Sequence, residues 1–391
     1  MRLALLGAFS FPSLLGSQRF FAEQARALAD AGCQVTLVCY GRGDSRIATD
    51  LPVASTPPWL SPRRLRAGPS PAKPLADLAL RAQLIDAERK RPFDAVLAHN
   101  AEAALVARTC RRSLQGALIY VAHTLFSEEL ETYLPAVPTR ISRRLGRSTD
   151  RAAARGADAV LVLSAQARRA LAPVGPAPLE HIPPGRHPEP PPGDDQVESA
   201  CARHGLPRSH YAVYAGNLDA YQDLPLLDAA AAELPELPVV VVTHDRAGGS
   251  FRHLKCVRTD SPEEARALLY GARVAALPRR RGGGFPIKLL DYMEAGLPIV
   301  AFASLADTLE AERSGWLLGD DADALAFAHG LGACASDPEL ARRLGEGARR
   351  CLAEQHAWPR RIAETLALVR RARTSRSRPR EPGAPTATTG R

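Results

Sequence analysis

Apolar residues fall along this chain in short, nearly unbroken runs, separated by longer stretches in which they recur every three or four positions. In the first half the runs are Leu3 to Ala8, Gln34 to Tyr40, Asp94 to His99, Ala117 to His123 and Ala157 to Ser164. Each has the length and continuity of a strand covered on both faces, and the stretch Gln18 to Ala31, closed by Gly32, has helical spacing. Between His181 and Ser209 the pattern breaks, because IPPGRHPEPPPGDD has too many prolines for a helix or a central strand and reads as a linker. A second series follows at Tyr211 to Ala215, Val239 to Thr243, Val274 to Leu277 and Ile299 to Phe302. This alternation predicts an α/β chain with two Rossmann-like, doubly wound parallel sheets facing each other across a cleft. Ligands then bind at the carboxyl ends of the strands. The expected divisions are a first domain over 1–182, a proline-rich linker over 183–210, a second domain over 211–350, a helix over 351–370 packing back on the first domain, and a tail over 371–391.

Residues 282–300, GGGFPIKLLDYMEAGLPIV, carry the strongest chemical signal. Gly282, Gly283 and Gly284 let backbone N–H groups approach a ligand, Pro286 suits a first helical turn, Gly296 ends the helix, and an apolar strand restarts beyond Pro298. A helix N-terminus favours an anion, yet Lys288 lies in the first turn and Arg279, Arg280 and Arg281 lie just before it. These cations oppose the helix dipole unless a diphosphate sits between them and the helix.

Composition adds little to the fold: 46% hydrophobic and 24% charged residues are ordinary for a globular chain of 391 residues. Seven cysteines without a CxxC pair read as reduced, mostly buried thiols of a cytosolic protein. The start MRLALLGAF reads as a first strand rather than a leader, since no small-residue cleavage site follows. Charge is more telling. The formal net charge is +9, of which +5 comes from six arginines against one glutamate in 371–391, a Ser, Pro, Thr and Gly-rich stretch expected to be disordered. A second basic stretch, Arg140 to Arg155, places Ile141, Leu145 and Ala152 on one helical face, and suits either an anionic membrane surface or a solvated face. Nucleic acid is disfavoured, because aromatics are 5% of the chain and none interleave with these arginines.

The segments YAGNLDAYQDLPLLDAA, GGGFPIKLLDYMEAGLPIVA and SGWLL of the second half, with FPSLLGSQRF, ALADAGCQVTLV and IYVAHTLFSEEL of the first, resemble the family 4 nucleotide-sugar glycosyltransferases of the GT-B fold over roughly residues 1 to 370. The resemblance implies transfer of a hexosyl group from a nucleotide diphosphate sugar to a hydroxyl, with retention at the anomeric carbon. It implies that Asp291 holds the place of a glutamate that binds the ribose, that Gly283 replaces a second glutamate near the donor sugar, and that Asn217 and Gln222 replace an arginine and a lysine on the diphosphate. Charge neutralisation then shifts to Lys288 and the arginines at 279 to 281. His123 matches a histidine facing the donor sugar, Gly16 lets the first loop approach the donor, and Gly284, Phe285, Pro286 and Ile287 complete the donor-binding loop. Glu128, Glu129 and Glu131 are candidates for acceptor contacts. No DxD motif or paired histidine cluster compels a metal, so no metal and no cofactor beyond the donor are expected. Lipid-linked saccharide, polysaccharide and soluble acceptors all fit, with the basic stretches favouring an acceptor at the inner face of a membrane. A GT-B epimerase and a non-catalytic subunit are the alternatives. A nicotinamide dehydrogenase is not, because GAFSFPSLLG lacks the GxGxxG spacing.

Overall fold

The computed structural model describes residues 1–12, 16–43, 49–61, 70, 72–175, 177–245, 251–280, 282 and 284–377. In the first half β1 (Arg2–Ser10), α1 (Gly16–Asp30), β2 (Gln34–Tyr40), β3 (Val53–Ser55), α2 (Lys73–Lys90), β4 (Ala95–His99), α3 (Asn100–Thr109), β5 (Ala117–Ala122), α4 (Phe126–Tyr133), α5 (Thr139–Gly156), β6 (Ala159–Val162), α6 (Ala165–Leu171) and β7 (Leu179–His181) follow one another. Their strands form one sheet in the order β3-β2-β1-β4-β5-β6-β7, with every pairing parallel. Parallel strands need crossovers, and the helices supply them while covering both faces. Alternate residues therefore enter different cores: Leu3, Leu5, Leu97 and Ile119 pack on one face, Leu6, Val38, Val96 and Leu118 on the other.

The second half begins with α7 (Asp194–Arg203) and continues through β8 (Ala212–Ala215), α8 (Leu224–Ala232), β9 (Val239–Thr243), β10 (Leu254–Arg258), α9 (Pro262–Tyr270), β11 (Val274–Leu277), α10 (Lys288–Ala295), β12 (Ile299–Phe302), β13 (Trp316–Leu318), α11 (Ala324–Ser336), α12 (Pro338–Gln355) and α13 (Trp358–Ser377). Its six strands are parallel in the order β10-β9-β8-β11-β12-β13. Strand order reverses between β1 and β4 in one sheet and between β8 and β11 in the other, and such switch points open a crevice at the strands' carboxyl ends. One hydrophobic cluster runs continuously from Leu3 and Ile119 of the first sheet to Val213, Leu277 and Phe285 of the second.

Two sequence expectations need correction. The stretch read as linker contains α7, whose Val197, Ala200 and Cys201 are buried after an acidic first turn, so helical spacing resumes directly behind the prolines. The tail expected to be disordered from residue 371 is helical to Ser377: Leu368, Val369 and Ala372 are buried against the first sheet, and Arg371 and Arg373 pair with Glu180 and Asp94 at 2.7 and 2.8 Å. The rest of the tail, 378–391, lies outside the described residues. After α12, the chain thus returns to the first sheet, where α13 lies against α1, β5 and β6.

Candidate active site at the switch points

The loop after β11 leads into α10, which is anchored on its inner side by buried Leu289, Leu290, Tyr292 and Met293. The Tyr292 hydroxyl accepts a hydrogen bond from the Ala215 N–H at 2.9 Å, fixing the helix to the end of β8. Gly296 closes the helix with φ of 68°, a left-handed conformation suited to glycine. At the open end, the Lys288 amine lies 3.8 Å from the centre of the Tyr214 ring and donates to Tyr214 Oη at 2.5 Å and Gln222 Oε1 at 3.1 Å. Gln222 Nε2 donates in turn to Asn217 Oδ1 at 2.8 Å, and Tyr214 Oη donates to the Asn217 carbonyl at 2.7 Å. Asn217 and Gln222 are therefore engaged with each other and with the amine. Burial, reinforced by the Arg279 charge, holds the Lys288 amine well below its ordinary pKa.

The arginines before the helix separate by role. Arg279 is buried with its guanidinium 5.0 Å from the Tyr221 ring centre, while Arg280 turns away to pair with Asp223 at 3.0 Å. Arg281 and Gly283 lie outside the described residues. Phe285 points its ring into the core, 5.5 Å from that of His356, and Pro286 is buried. Both side chains are thus taken up by the core. The N–H groups of Gly284 and Phe285 have no hydrogen-bond partner among the described residues.

The first sheet meets this loop directly. A Cβ on Gly284 would lie 2.4 Å from Thr124 Cγ2 and 2.5 Å from the His123 carbonyl oxygen, a separation only glycine permits. A Cβ on Gly16 would lie 3.9 Å from Ile287, so the starts of α1 and α10 converge. His123 is paired with a histidine of the neighbouring strand. Its Nε2 is 2.7 Å from Nδ1 of His99, which ends the neighbouring strand β4. The two rings are buried and perpendicular, with Phe20 and Phe21 edge-on against them. Burial lowers both pKa values, that of His123 to about 3, so one neutral imidazole donates to the other. The other nitrogens, His99 Nε2 and His123 Nδ1, are also buried, which leaves the His123 carbonyl as the group facing the glycine loop.

Of the three acidic candidates on α4, Glu131 pairs with Arg143 at 3.1 Å. Glu129 lies toward the cleft, hydrogen-bonded to Thr124 and Tyr133 and under the influence of Arg279 across it, with burial raising its pKa. Asp291 lies on α10 in an ionic cluster. Its Oδ1 is 3.2 Å from Arg19 Nη1 and 2.9 Å from Arg186 Nη2, and Arg186 also reaches Glu294 at 2.7 Å and Glu23 at 3.3 Å. Arg19 and Arg186 were not singled out in the sequence. The available signal was the i, i+4 spacing of Arg19 and Glu23 and a lone arginine amid linker prolines. Burial raises the Asp291 pKa despite Arg19. Among the described residues no three His, Cys, Asp or Glu side chains converge as a metal-ligand set.

The fold has counterparts in known proteins. The family model for Glycosyltransferase Family 4 matches residues 15–190, and that for Glycosyl transferases group 1 matches residues 210–337. Sucrose-phosphate synthase from Thermosynechococcus elongatus superposes with a TM-score of 0.75 at 19% identity, covering 96% of this chain and 99% of its own. Anabaena HepE, solved in complex with UDP-glucose, gives 0.70 at 16% identity over 94% of this chain and 99% of its own. WaaG, a glycosyltransferase involved in lipopolysaccharide biosynthesis, gives 0.66 at 15% identity over 94% and 99%. At these identities the structures speak for the fold, and no curated protein matches the chain. Both halves carry family models in the order the two-sheet architecture requires, and the chain belongs to the family 4 glycosyltransferases of the GT-B fold.

Proposed function

We propose that the protein transfers a hexosyl unit from a nucleotide diphosphate sugar to a hydroxyl acceptor with retention of anomeric configuration. The observation that carries this reading is the meeting of both switch points at one place. The glycine loop, the Lys288 amine and Arg279 come from the second sheet, and the His123 carbonyl and Gly16 from the first. The HepE complex, which holds UDP-glucose, supports a donor of this class. In this reading Lys288, Arg279 and the backbone N–H groups of Gly284 and Phe285 take up the charge developing on the leaving diphosphate, lowering the cost of an oxocarbenium-like transition state. The leaving phosphate accepts the acceptor's proton. His123 contributes its carbonyl and shape rather than proton transfer, since its ring is neutral and turned inward. No divalent cation is assigned a step.

The acceptor side is formed by α4, with Glu129 nearest the cleft, and α4 rests on the basic helix α5. Buried Asp150 of α5 accepts the N–H groups of Phe126 and Ser127 at 2.9 and 3.0 Å, which fixes the start of α4. The outer face of α5 exposes Ile141 and Leu145 by 51% and 52%, beside Arg140, Arg144, Arg147 and Arg151, none of which has a carboxylate partner among the described residues. That face suits an anionic membrane surface and a lipid-linked acceptor. No helix among the described residues is long and apolar enough to cross a membrane.

A thermal-shift screen against UDP, GDP, ADP, TDP and their sugars tests the donor, and product analysis with and without acceptor tests the reaction. A ligand at 100 times its Kd should add roughly 2.7 kcal/mol to stability. Stabilisation by one nucleotide family and acceptor-dependent release of the diphosphate are expected. Sugar isomerisation without acceptor would favour an epimerase, and no shift at millimolar nucleotide would overturn the reading in favour of a non-catalytic subunit.

A further inference from the structure

The ionic cluster around Asp291 is asymmetric in exposure. Side chains of Arg186 and Glu294 are 4% and 6% exposed, whereas those of Arg19 and Asp291 are 36% and 26% exposed. Arg186 is compensated by Glu294 and Glu23 and serves as the buried brace that aims Asp291. The open edge of the cluster is the Arg19–Asp291 pair, with one member on the first turn of α1 and the other on α10.

Arg19 uses only part of its guanidinium. Its Nε donates to Glu23 at 2.9 Å and its Nη1 to Asp291 at 3.2 Å, and Nη2 has no partner among the described residues. A guanidinium is a planar fork whose donors point in fixed directions, so fixing Nε and Nη1 also fixes the aim of Nη2. The starts of α1 and α10 converge at Gly16 and Ile287, so the Arg19–Asp291 edge borders the same crevice as Lys288. Asn217 and Gln222, which follow β8 in the second sheet, are neutral and already hydrogen-bonded to each other.

We infer that Arg19 is a donor-binding residue, which presents its Nη2 to an oxygen of the nucleoside diphosphate while Asp291 beside it accepts from the ribose hydroxyls. This rests on the donor reading above and deepens it. Nucleotide then touches both halves through adjacent side chains.

Isothermal titration of the full chain with UDP, GDP and ADP, chosen by the thermal-shift screen, tests this for wild type, Arg19→Met and Arg19→Lys. A charge-assisted hydrogen bond corresponds to roughly 10- to 150-fold in Kd. Arg19→Met is expected to weaken nucleoside diphosphate by about that factor, and Arg19→Lys, which keeps the charge but loses the fork, by less. Both melting temperatures, measured alongside, separate lost binding from lost fold, and Arg19→Lys serves if Arg19→Met does not fold. A Kd unchanged or tightened in both variants would overturn the assignment, tightening meaning that Arg19 only competes with ribose for Asp291. If wild type binds no nucleotide, the donor reading itself falls and this inference with it. Binding to wild type with equal binding to the variants sinks the Arg19 assignment alone.

Discussion

Replacing Lys288 by methionine keeps most of the side chain's length and removes the amine at the centre of the donor loop. In the unliganded protein that amine is held below its ordinary pKa by burial and by Arg279, and its hydrogen bonds go to the neutral oxygens of Tyr214 and Gln222. A diphosphate between Lys288, Arg279 and the helix start supplies countercharge, so binding must raise the pKa and draw a proton from solution. The affinity of wild type is therefore highest below the free-state pKa of Lys288. It should fall by up to tenfold, about 1.36 kcal/mol, for each pH unit above it, until the bound-state pKa is reached. Loss of one charge-assisted phosphate contact adds a further penalty of about 1.5–3 kcal/mol in the variant, or roughly 10- to 150-fold in Kd. Calorimetric titration with nucleoside diphosphate from about pH 7 to about pH 10, in buffers of different ionisation enthalpy, reads both quantities. Wild type should take up a proton at pH values between the free-state and bound-state pKa of Lys288, and Lys288→Met none. Equal proton uptake in both proteins, or a wild-type affinity flat across the range, would refute the reasoning.

Three further outcomes follow from the same geometry. Gly284→Ala puts a methyl group 2.5 Å from the His123 carbonyl and should force the sheets apart, lowering kcat/KM by at least about tenfold with little change in Tm, as checked by kinetics beside calorimetry. The His99–His123 pair is neutral in the fold, with His123 lowered to about 3, and the unfolded chain binds more protons between about pH 6.5 and 3. Stability from this pair is thus present above about pH 6.5 and lost as pH falls, and urea melts should show a smaller acid loss in a His99→Leu/His123→Leu double variant, with a slope unchanged from wild type counting against the neutral pair. Replacing Ile141 and Leu145 by serine and Arg144 and Arg147 by glutamine should abolish co-sedimentation with vesicles containing anionic lipid while leaving turnover of a soluble acceptor intact; retained sedimentation would exclude the α5 face.

The central strands were legible because parallel strands covered on both faces must be apolar at nearly every position, as in Val239–Thr243. The edge strands β3, β7, β10 and β13 were not, since they run three to five residues with partly exposed positions. Helix α7 was masked by the prolines immediately before it, although Asp194 and Asp195 mark its first turn. Within the site, the run from Gly282 to Gly296 could be read locally because loop, helix start and helix stop are contiguous in sequence. The pairs that complete the cleft could not. Arg19 and Asp291 are 272 positions apart, and His99 meets His123 only because β4 and β5 are neighbours in the sheet.

The return of α13 to the first sheet gives the molecule a second crossing between its halves. One crossing follows β7, the other joins α12 to α13, and they are stitched together where Arg186 N–H donates to the His356 carbonyl at 2.7 Å and the His356 ring lies 2.6 Å from the Pro184 carbonyl. Two bodies held by a single strand can swivel and drift, but two bodies held by a pair of strands bound side by side behave as a door on a two-pin hinge, free to swing about one line and little else. The backbone of Arg186 is a pin of that hinge, and its side chain braces Asp291 in the crevice. One residue therefore serves both places, its backbone at the hinge line and its guanidinium beside the Asp291 carboxylate.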